Sequence, residues 1–269
     1  IKDHNITPPE FFRPYSARYV RLCRRGRRQT RALARLRDDT LWVGDSAFNL
    51  EEAGQAGLRR SAVLPPFNDV ERWRALEPRQ DLLRELIHDP GMNILCVGRL
   101  VPNKDHAFLL QVLHAFRSGY ARPIRLHLVG KVDPEMQGYV ADLKTRAADL
   151  GVDELVSWAG ELEAEALLAC FLGCDALVSA SLHEGFCVPL VEAQALHLPV
   201  LARRSSAVGD TLGPDQLLLG DDPLEWAAAL HLIGASADDQ EMLRRQGARN
   251  YRDRFSRPVL ESGFRALVA

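Results

Sequence analysis

From about residue 92 onward, short apolar runs alternate with longer stretches in which apolar residues recur every three or four positions. The runs predict strands at 92–98, 124–129, 154–158, 175–180 and 198–202, with a fainter one at 216–219. The longer stretches predict helices at 105–117, 134–149, 163–172, 188–196, 223–234 and 238–253. Strands that alternate with helices imply right-handed βαβ units and a parallel sheet. Residues 78–90 are polar, and Asp89-Pro90-Gly91 breaks the chain, so the boundary of this unit is expected there.

The first 80 residues differ. His4-Asn5-Ile6-Thr7-Pro8-Pro9 reads as a turn after a strand that has barely begun. Residues 15–37 predict a helix, and Thr40–Gly44 a strand. Asp45-Ser46 can cap a helix to about Ala56, and Ser61–Pro65 reads as a third, short strand. The fold class is therefore α/β. A complete Rossmann-like domain is expected over 81–255 and the C-terminal part of a second over 1–80. Residues 256–269 follow Asp253-Arg254-Phe255-Ser256 as a separate last segment.

Composition narrows the functional classes. The chain is 46% hydrophobic and 26% charged with a formal net charge of −2. That is the balance of a globular protein with no overall attraction to nucleic acid. No apolar run approaches the ~18 residues of a membrane span. The chain opens Ile1-Lys2-Asp3-His4 with no initiating Met and no secretory pattern, so a truncated chain is expected. The five cysteines lack zinc spacing and read as reduced thiols, which points to the cytoplasm. His88, His106, His114, His127, His197 and His231 share no metal-ligand spacing and read as structural.

Two blocks carry candidate chemistry. In the first, an apolar strand ends before His183-Glu184-Gly185-Phe186-Cys187-Val188-Pro189, and a helix follows that contains Glu192. Gly185 and Pro189 stop the strand and start the helix. The amides of Phe186 to Leu190, apart from Pro189, are expected to point free at the helix start, a ready place for phosphate. Glu184 falls at the carboxyl end of a parallel strand, where open sheets bind ligands. In the second block the strand Asn93–Val97 breaks at Gly98, and Arg99 and Lys104 follow, with Asp105 as a plausible N-cap. Fixed cations in a dry cleft stabilise a departing diphosphate.

Together the blocks resemble retaining glycosyltransferases of family 4, which have the GT-B fold. Glu184 and Glu192 match the E-x7-E signature, and Gly98, Arg99 and Lys104 match its G-R-[LIV]-x-x-x-K block. The resemblance implies that Gly98, Arg99 and Lys104 meet the diphosphate of a nucleotide sugar. Amides of Gly185, Phe186, Cys187 and Val188 would bind phosphate and sugar oxygens. Glu192 would bind the ribose diol, and the loop ending at Leu162 would pass near the base. Glu184 and His4 would act on the sugar from opposite walls. Residues 256–269 would form a last helix that crosses back to the N-terminal part.

The implied activity is transfer of a hexose to a glycan or lipid-linked acceptor hydroxyl, in polysaccharide or glycolipid assembly, with retention. No metal or other cofactor is expected, since the chain has no Asp-x-Asp pair. Two other classes fit the fold: a nucleotide-sugar 2-epimerase, or a non-catalytic donor-binding module, since earlier strands of the acceptor-side domain are missing. Residues 13–37 carry ten arginines, among them Arg18, Arg21, Arg24, Arg25, Arg28, Arg31, Arg35 and Arg37, and no acid. Such a helix suits anionic lipid at the inner face of a membrane, a lipid-diphosphate acceptor, or plain solvation. Nucleic acid is disfavoured by the sparse aromatics.

Overall fold

The structure is a computed structural model that describes residues 1–33, 40–54 and 60–269. Strand β1 (Lys2–Asp3) leads through a 3-10 turn at Pro9–Phe12 into helix α1 (Ala17–Leu33). Then come β2 (Trp42–Gly44), α2 (Ala47–Glu52) and β3 (Ser61–Val63). The three strands form a parallel sheet in the order β1-β2-β3. Ser46 starts α2, its hydroxyl accepting from the Asn49 amide at 3.3 Å, which satisfies an N–H that the helix itself leaves orphaned. The expected helices extend to residue 37 and about Ala56. Residues 34–37, with Arg35 and Arg37, and residues 55–56 lie outside the described residues.

Next come α3 (Val70–Trp73), α4 (Gln80–His88), β4 (Met92–Val97), α5 (His106–Gly119), β5 (Ile124–Val129), α6 (Gln137–Asp149) and β6 (Val156–Gly160). The chain continues through α7 (Ala164–Gly173), β7 (Ala176–Ser179), α8 (Val188–Ala195), β8 (Val200–Arg203), α9 (Val208–Leu212) and β9 (Leu217–Leu219). It closes with α10 (Pro223–Ala235), α11 (Ala237–Arg254) and α12 (Arg257–Val268). Six parallel strands stand in the order β6-β5-β4-β7-β8-β9. The chain winds outward from β4 in one direction and from β7 in the other. The order reverses between these two, which is the crevice where open α/β sheets take ligands.

Strand β4 shows why the sheet is buried on both faces. Met92, Ile94 and Cys96 enter a core with Phe108, Leu113 and Phe116 of α5 and Trp226 of α10. Leu95 enters the opposite core with Leu168 and Phe171 of α7 and Leu190 of α8. Side chains alternate at period two, so a strand covered on both sides must be apolar throughout.

Helix α4, which the sequence pattern did not predict, belongs to that second core. Leu86 is 5% exposed, and a Cβ on Gly173 of α7 would stand 2.8 Å from the Cβ of Leu86. Leu82 and Leu83 face the same side. Pro78, Pro90 and the charged residues between them obscure a nine-residue amphipathic helix.

A second correction concerns Asp105. It precedes α5 in the left-handed region, φ 47°, and its side chain makes no capping bond. Its carboxylate instead accepts from Arg203 Nη1 at 2.6 Å.

The end of the chain returns to the segment after β3. Asn68 Nδ2 donates to Phe255 O at 3.0 Å, and a Cβ on Gly263 of α12 would meet Leu64 at 3.4 Å. The loops after β4 and β5 touch backbone to backbone: a Cβ on Gly130 would lie 1.9 Å from Gly98 O. This contact holds the Gly98–Lys104 loop against the sheet.

Truncating Leu86 tests whether α4 is part of the core. Leu86→Ala should cost about 2–4 kcal/mol in urea unfolding, the usual scale for a buried leucine. A loss below about 0.5 kcal/mol, typical of a solvated surface position, would detach α4 from the core.

Candidate active site

A cavity of about 450 Å³ opens where the C-terminal ends of strands from both sheets face each other. That volume suits a small-molecule site. His4 and Asn5 enter after β1, Asp45 after β2 and Pro66 after β3. Gly98, Arg99, Asn103 and Lys104 enter after β4, and His183 to Pro189 after β7. The fold thus brings His4, Gly98, Arg99, Lys104, Glu184, Gly185, Phe186, Cys187 and Val188 to one cleft. Glu192 and Leu162 do not line it.

At its centre Lys104 Nζ lies 2.5 Å from Glu184 Oε1. The sequence reading gives these residues separate partners; the structure makes them partners of each other. Burial alone would lower the pKa of the Lys104 ammonium. The Glu184 carboxylate outweighs this and holds it above its ordinary value. Two of the three ammonium hydrogens remain for another acceptor. Nearby His106 is pushed down to about 3 by burial and by the Lys104 charge, so it stays neutral. Arg99 is exposed at the cleft wall and makes no ion pair among the described residues.

The loops around this pair are strained. Non-glycine residues in the left-handed region are Asn5, Asp105, Cys187, Ser206 and His197. All but His197 sit in or beside the cleft, and strained backbone of this kind collects at functional sites. Cys187 stands at the start of α8 with φ 73°. Burial pushes its thiol up to about 12, which makes it a packing residue. The amides of Gly185, Phe186, Cys187 and Val188 have no acceptor among the described residues. That of Leu190 is not available as expected, because it donates to Cys187 O at 3.1 Å.

Neighbouring loops hold the Glu184 loop in place. The Glu184 amide donates to Ser206 Oγ at 2.8 Å, and Ser205 Oγ donates to Ser181 O at 2.5 Å. Asn103 Nδ2 donates to His183 O at 3.1 Å, and the Leu182 amide to Asn103 O at 2.8 Å.

The N-terminal wall closes directly on Gly185. A Cβ there would stand 2.7 Å from Asn5 Cβ and 2.9 Å from His4 O, while Ser46 Oγ donates to Gly185 O at 2.7 Å. His4 Nδ1 lies 2.8 Å from Asp45 Oδ2. A carboxylate only accepts, so Nδ1 carries the hydrogen and Nε2 is left for a ligand. Lys2 Nζ adds positive charge 3.2 Å from Asp45 Oδ1.

Below them His183 Nε2 lies 3.2 Å from Glu52 Oε2, and Arg27 Nη2 donates to Glu52 Oε1 at 2.7 Å. Burial would raise the Glu52 pKa, but hydrogen bonds from His183, Arg27 and Asn5 override it and hold the carboxyl at about 2. Asp45, Glu52, Asn103, Ser205 and Ser206 were not singled out in the sequence. None belongs to a motif; only the Asp45-Ser46 cap signal pointed to this corner.

Glu192 lies one turn into α8, partly buried. Burial pushes its carboxyl up to about 7, with the Asp69 charge adding to the effect. Leu162 follows β6, two strands from the crevice, and packs on the second core. Trp158 packs on the first.

Helix α1 turns Tyr19, Val20 and Cys23 toward a small core formed by Phe12, Val101 and Met136. Its opposite face exposes Arg18, Arg21, Arg24, Arg25, Arg28 and Arg31. Among the described residues no helix is long and apolar enough to cross a membrane. No group of three His, Cys, Asp or Glu could hold a metal there.

A family profile described as "Glycosyl transferases group 1" matches residues 84–253. The D-inositol 3-phosphate glycosyltransferase of Nocardia farcinica is 32% identical over 214 residues, covering 77% of this chain and 46% of that protein. The MMP alpha-(1->4)-mannosyltransferase of Mycolicibacterium hassiacum is 30% identical over 178 residues, covering 65% of this chain and 39% of that protein. The chain thus spans about half the length, or less, of these curated relatives.

Anabaena Alr3699/HepE, solved in complex with UDP and glucose, superposes with TM-score 0.79 at 18% identity, over 99% of this chain and 70% of that one. WaaG, a glycosyltransferase involved in lipopolysaccharide biosynthesis, gives 0.72 at 16% identity, over 99% and 73%. The architecture is that of the GT-B fold these structures share.

The Glu192 carboxyl gives a pH signature. Its folded pKa of about 7 exceeds the ordinary 4.5. Its contribution to stability is therefore intact below pH 4.5 and is lost as pH rises to about 7. Glu192→Gln should match the parent near pH 4.5 and exceed it above pH 7 by about 1–3 kcal/mol. Paired urea titrations across that range check this; a pH-independent difference would remove the shifted carboxyl.

Proposed function

This chain belongs to the glycosyl transferases group 1 family, and we propose that its cleft takes a nucleotide-diphosphate sugar and passes the hexose to an acceptor hydroxyl with retention. The observation that carries this reading is the convergence of Arg99, Lys104, the open amides at the start of α8, Glu184 and His4 on one cavity. The occurrence of UDP and glucose with Alr3699/HepE supports the donor class.

In this reading the bond between the anomeric carbon and a diphosphate oxygen breaks, an acceptor oxygen takes its place on the same face of the sugar, and the proton of the acceptor hydroxyl passes to the departing diphosphate. The negative charge on the leaving diphosphate grows. Arg99, the unshared hydrogens of Lys104 and the amides of Gly185 to Val188 stabilise it without reorganisation, with no metal invoked. Glu184 sits against the sugar and offsets positive charge at the anomeric carbon. Its bond to Lys104 holds it in place for that role. His4 addresses the sugar through Nε2 from the opposite wall, and Glu192, inside α8 just past the residues that line the cavity, takes the ribose diol of the bound nucleotide. The acceptor is a glycan or a lipid-linked chain, and Asp45 keeps the His4 ring in place at the acceptor-side wall.

Calorimetry with UDP, GDP and ADP tests the donor site. Arg99→Ala and Lys104→Ala should each weaken the preferred diphosphate about 10- to 100-fold, the range for one charge-assisted contact. Glu192→Gln should weaken nucleotide binding, since a ribose diol is present in ground and transition states alike. Glu184→Gln should lower turnover, and turnover by the parent should survive EDTA. Unchanged affinity in both cation variants would remove the donor assignment.

The exposed arginines of α1 suit an anionic bilayer carrying a lipid-linked acceptor. Binding to vesicles with 30% phosphatidylglycerol should exceed binding to neutral vesicles by tenfold or more. It should fall when Arg21, Arg24, Arg25 and Arg28 are changed to Gln. Equal binding to both vesicle types would leave these arginines as a solvated face.

A further inference from the structure

Arg203 ends β8 and is only 4% exposed. One nitrogen, Nη1, donates both to Asp105 Oδ2 at 2.6 Å and to Ala180 O at 2.7 Å. The guanidinium stacks on the Phe108 ring at 4.3 Å, and Nε lies 2.9 Å from Asp221 Oδ1. The two acceptors on Nη1 come from different loops. Asp105 directly follows Lys104, and Ala180 stands four residues before Glu184. Asp105 holds a left-handed backbone yet caps no helix. The bond to Arg203 is what its carboxylate does here. A buried arginine is costly unless it is paired, and this one is held by the two Nη1 bonds and the Phe108 ring, while Nε makes no hydrogen bond and has only the charge of the exposed Asp221 beside it.

We propose that Arg203 is a positioning residue. It ties the loop of Lys104 to the loop of Glu184 from beneath and so sets the spacing at which Lys104 receives a diphosphate. The proposal rests on the donor reading of the cleft. A lysine at 203 would not substitute, because a point charge on a flexible stem cannot hold two acceptors while stacking on a ring.

The test separates the proposal from that reading. The lysines of the chain are Lys2, Lys104, Lys131 and Lys144, so NMR of a lysine-labelled sample gives a short set of ammonium signals. Lys104→Arg identifies the Lys104 signal. In Arg203→Met and in Asp105→Asn that signal should move and its hydrogen exchange should quicken about tenfold, while the Lys131 and Lys144 signals stay in place. Calorimetry should show about tenfold weaker nucleoside diphosphate binding in both variants. In a Lys104→Met background, Arg203→Met should change affinity no further, because both act through one group.

An unmoved Lys104 signal in the folded variants would overturn the proposal, as would losses that add in the double variant. If Arg203→Met does not fold, Asp105→Asn and Arg203→Lys decide by the same readouts. If the parent chain binds none of the three diphosphates, the donor reading falls, and the lysine spectrum still decides whether Arg203 positions Lys104.

Discussion

The half-buried contact between Lys104 and Glu184 is the interaction around which this site is built. Taking two charges out of water costs several kcal/mol per ion, and that cost is offset only where geometry and further hydrogen bonds are complete. The fold meets this condition by placing β4 beside β7, so that loops 80 residues apart in sequence end at the same crevice. Asn103 stitches one loop to the other, and Ser205 and Ser206 hold the second from behind. With each charge balanced by the other, the cleft keeps Arg99 as its uncommitted cation.

That arrangement leaves little slack in the backbone. Asn5, Asp105, Cys187 and Ser206 all hold left-handed conformations that side chains other than glycine rarely adopt. Three of them are kept there by a contact across the cleft or its backing: Asn5 by Asn49, Asp105 by Arg203, Ser206 by the Glu184 amide. Gly185 has the complementary role. It lets the N-terminal strand ends press onto the signature loop, where any side chain would collide with His4 and Asn5. The wall between the two sheets is therefore a close-packed seam, with Ser46 and Asn49 supplying polar contacts and His183 reaching Glu52. Arg27 shows that the basic helix is not all surface, since one of its arginines is tied to this seam.

Much of the fold was legible in the sequence. The strand and helix positions after residue 92, the parallel α/β class and the two motif blocks follow from local patterns. Backbone geometry repeats every 3.6 or 2 residues, and burial stamps that period on neighbouring positions. Helix α4 escaped because nine residues between prolines give too short a window for a period to show. The Asp105 cap failed because a tertiary partner, Arg203, took the carboxylate that local chemistry offered to α5.

The sequence by itself therefore determined which residues are chemically equipped for the cleft: the cations of one block, the carboxylate and glycine of the other, and a histidine near the start. Only the tertiary structure decided how they are paired. It set Lys104 on Glu184, His4 on Asp45, His183 on Glu52 and Arg203 on two loops at once, across separations of 23 to 131 residues. It also turned the Leu162 side chain toward the second core and the Leu190 amide to Cys187. Such pairings depend on strand order and on which loops the sheet edge brings together. Those distances have no period along the chain, so no local pattern records them.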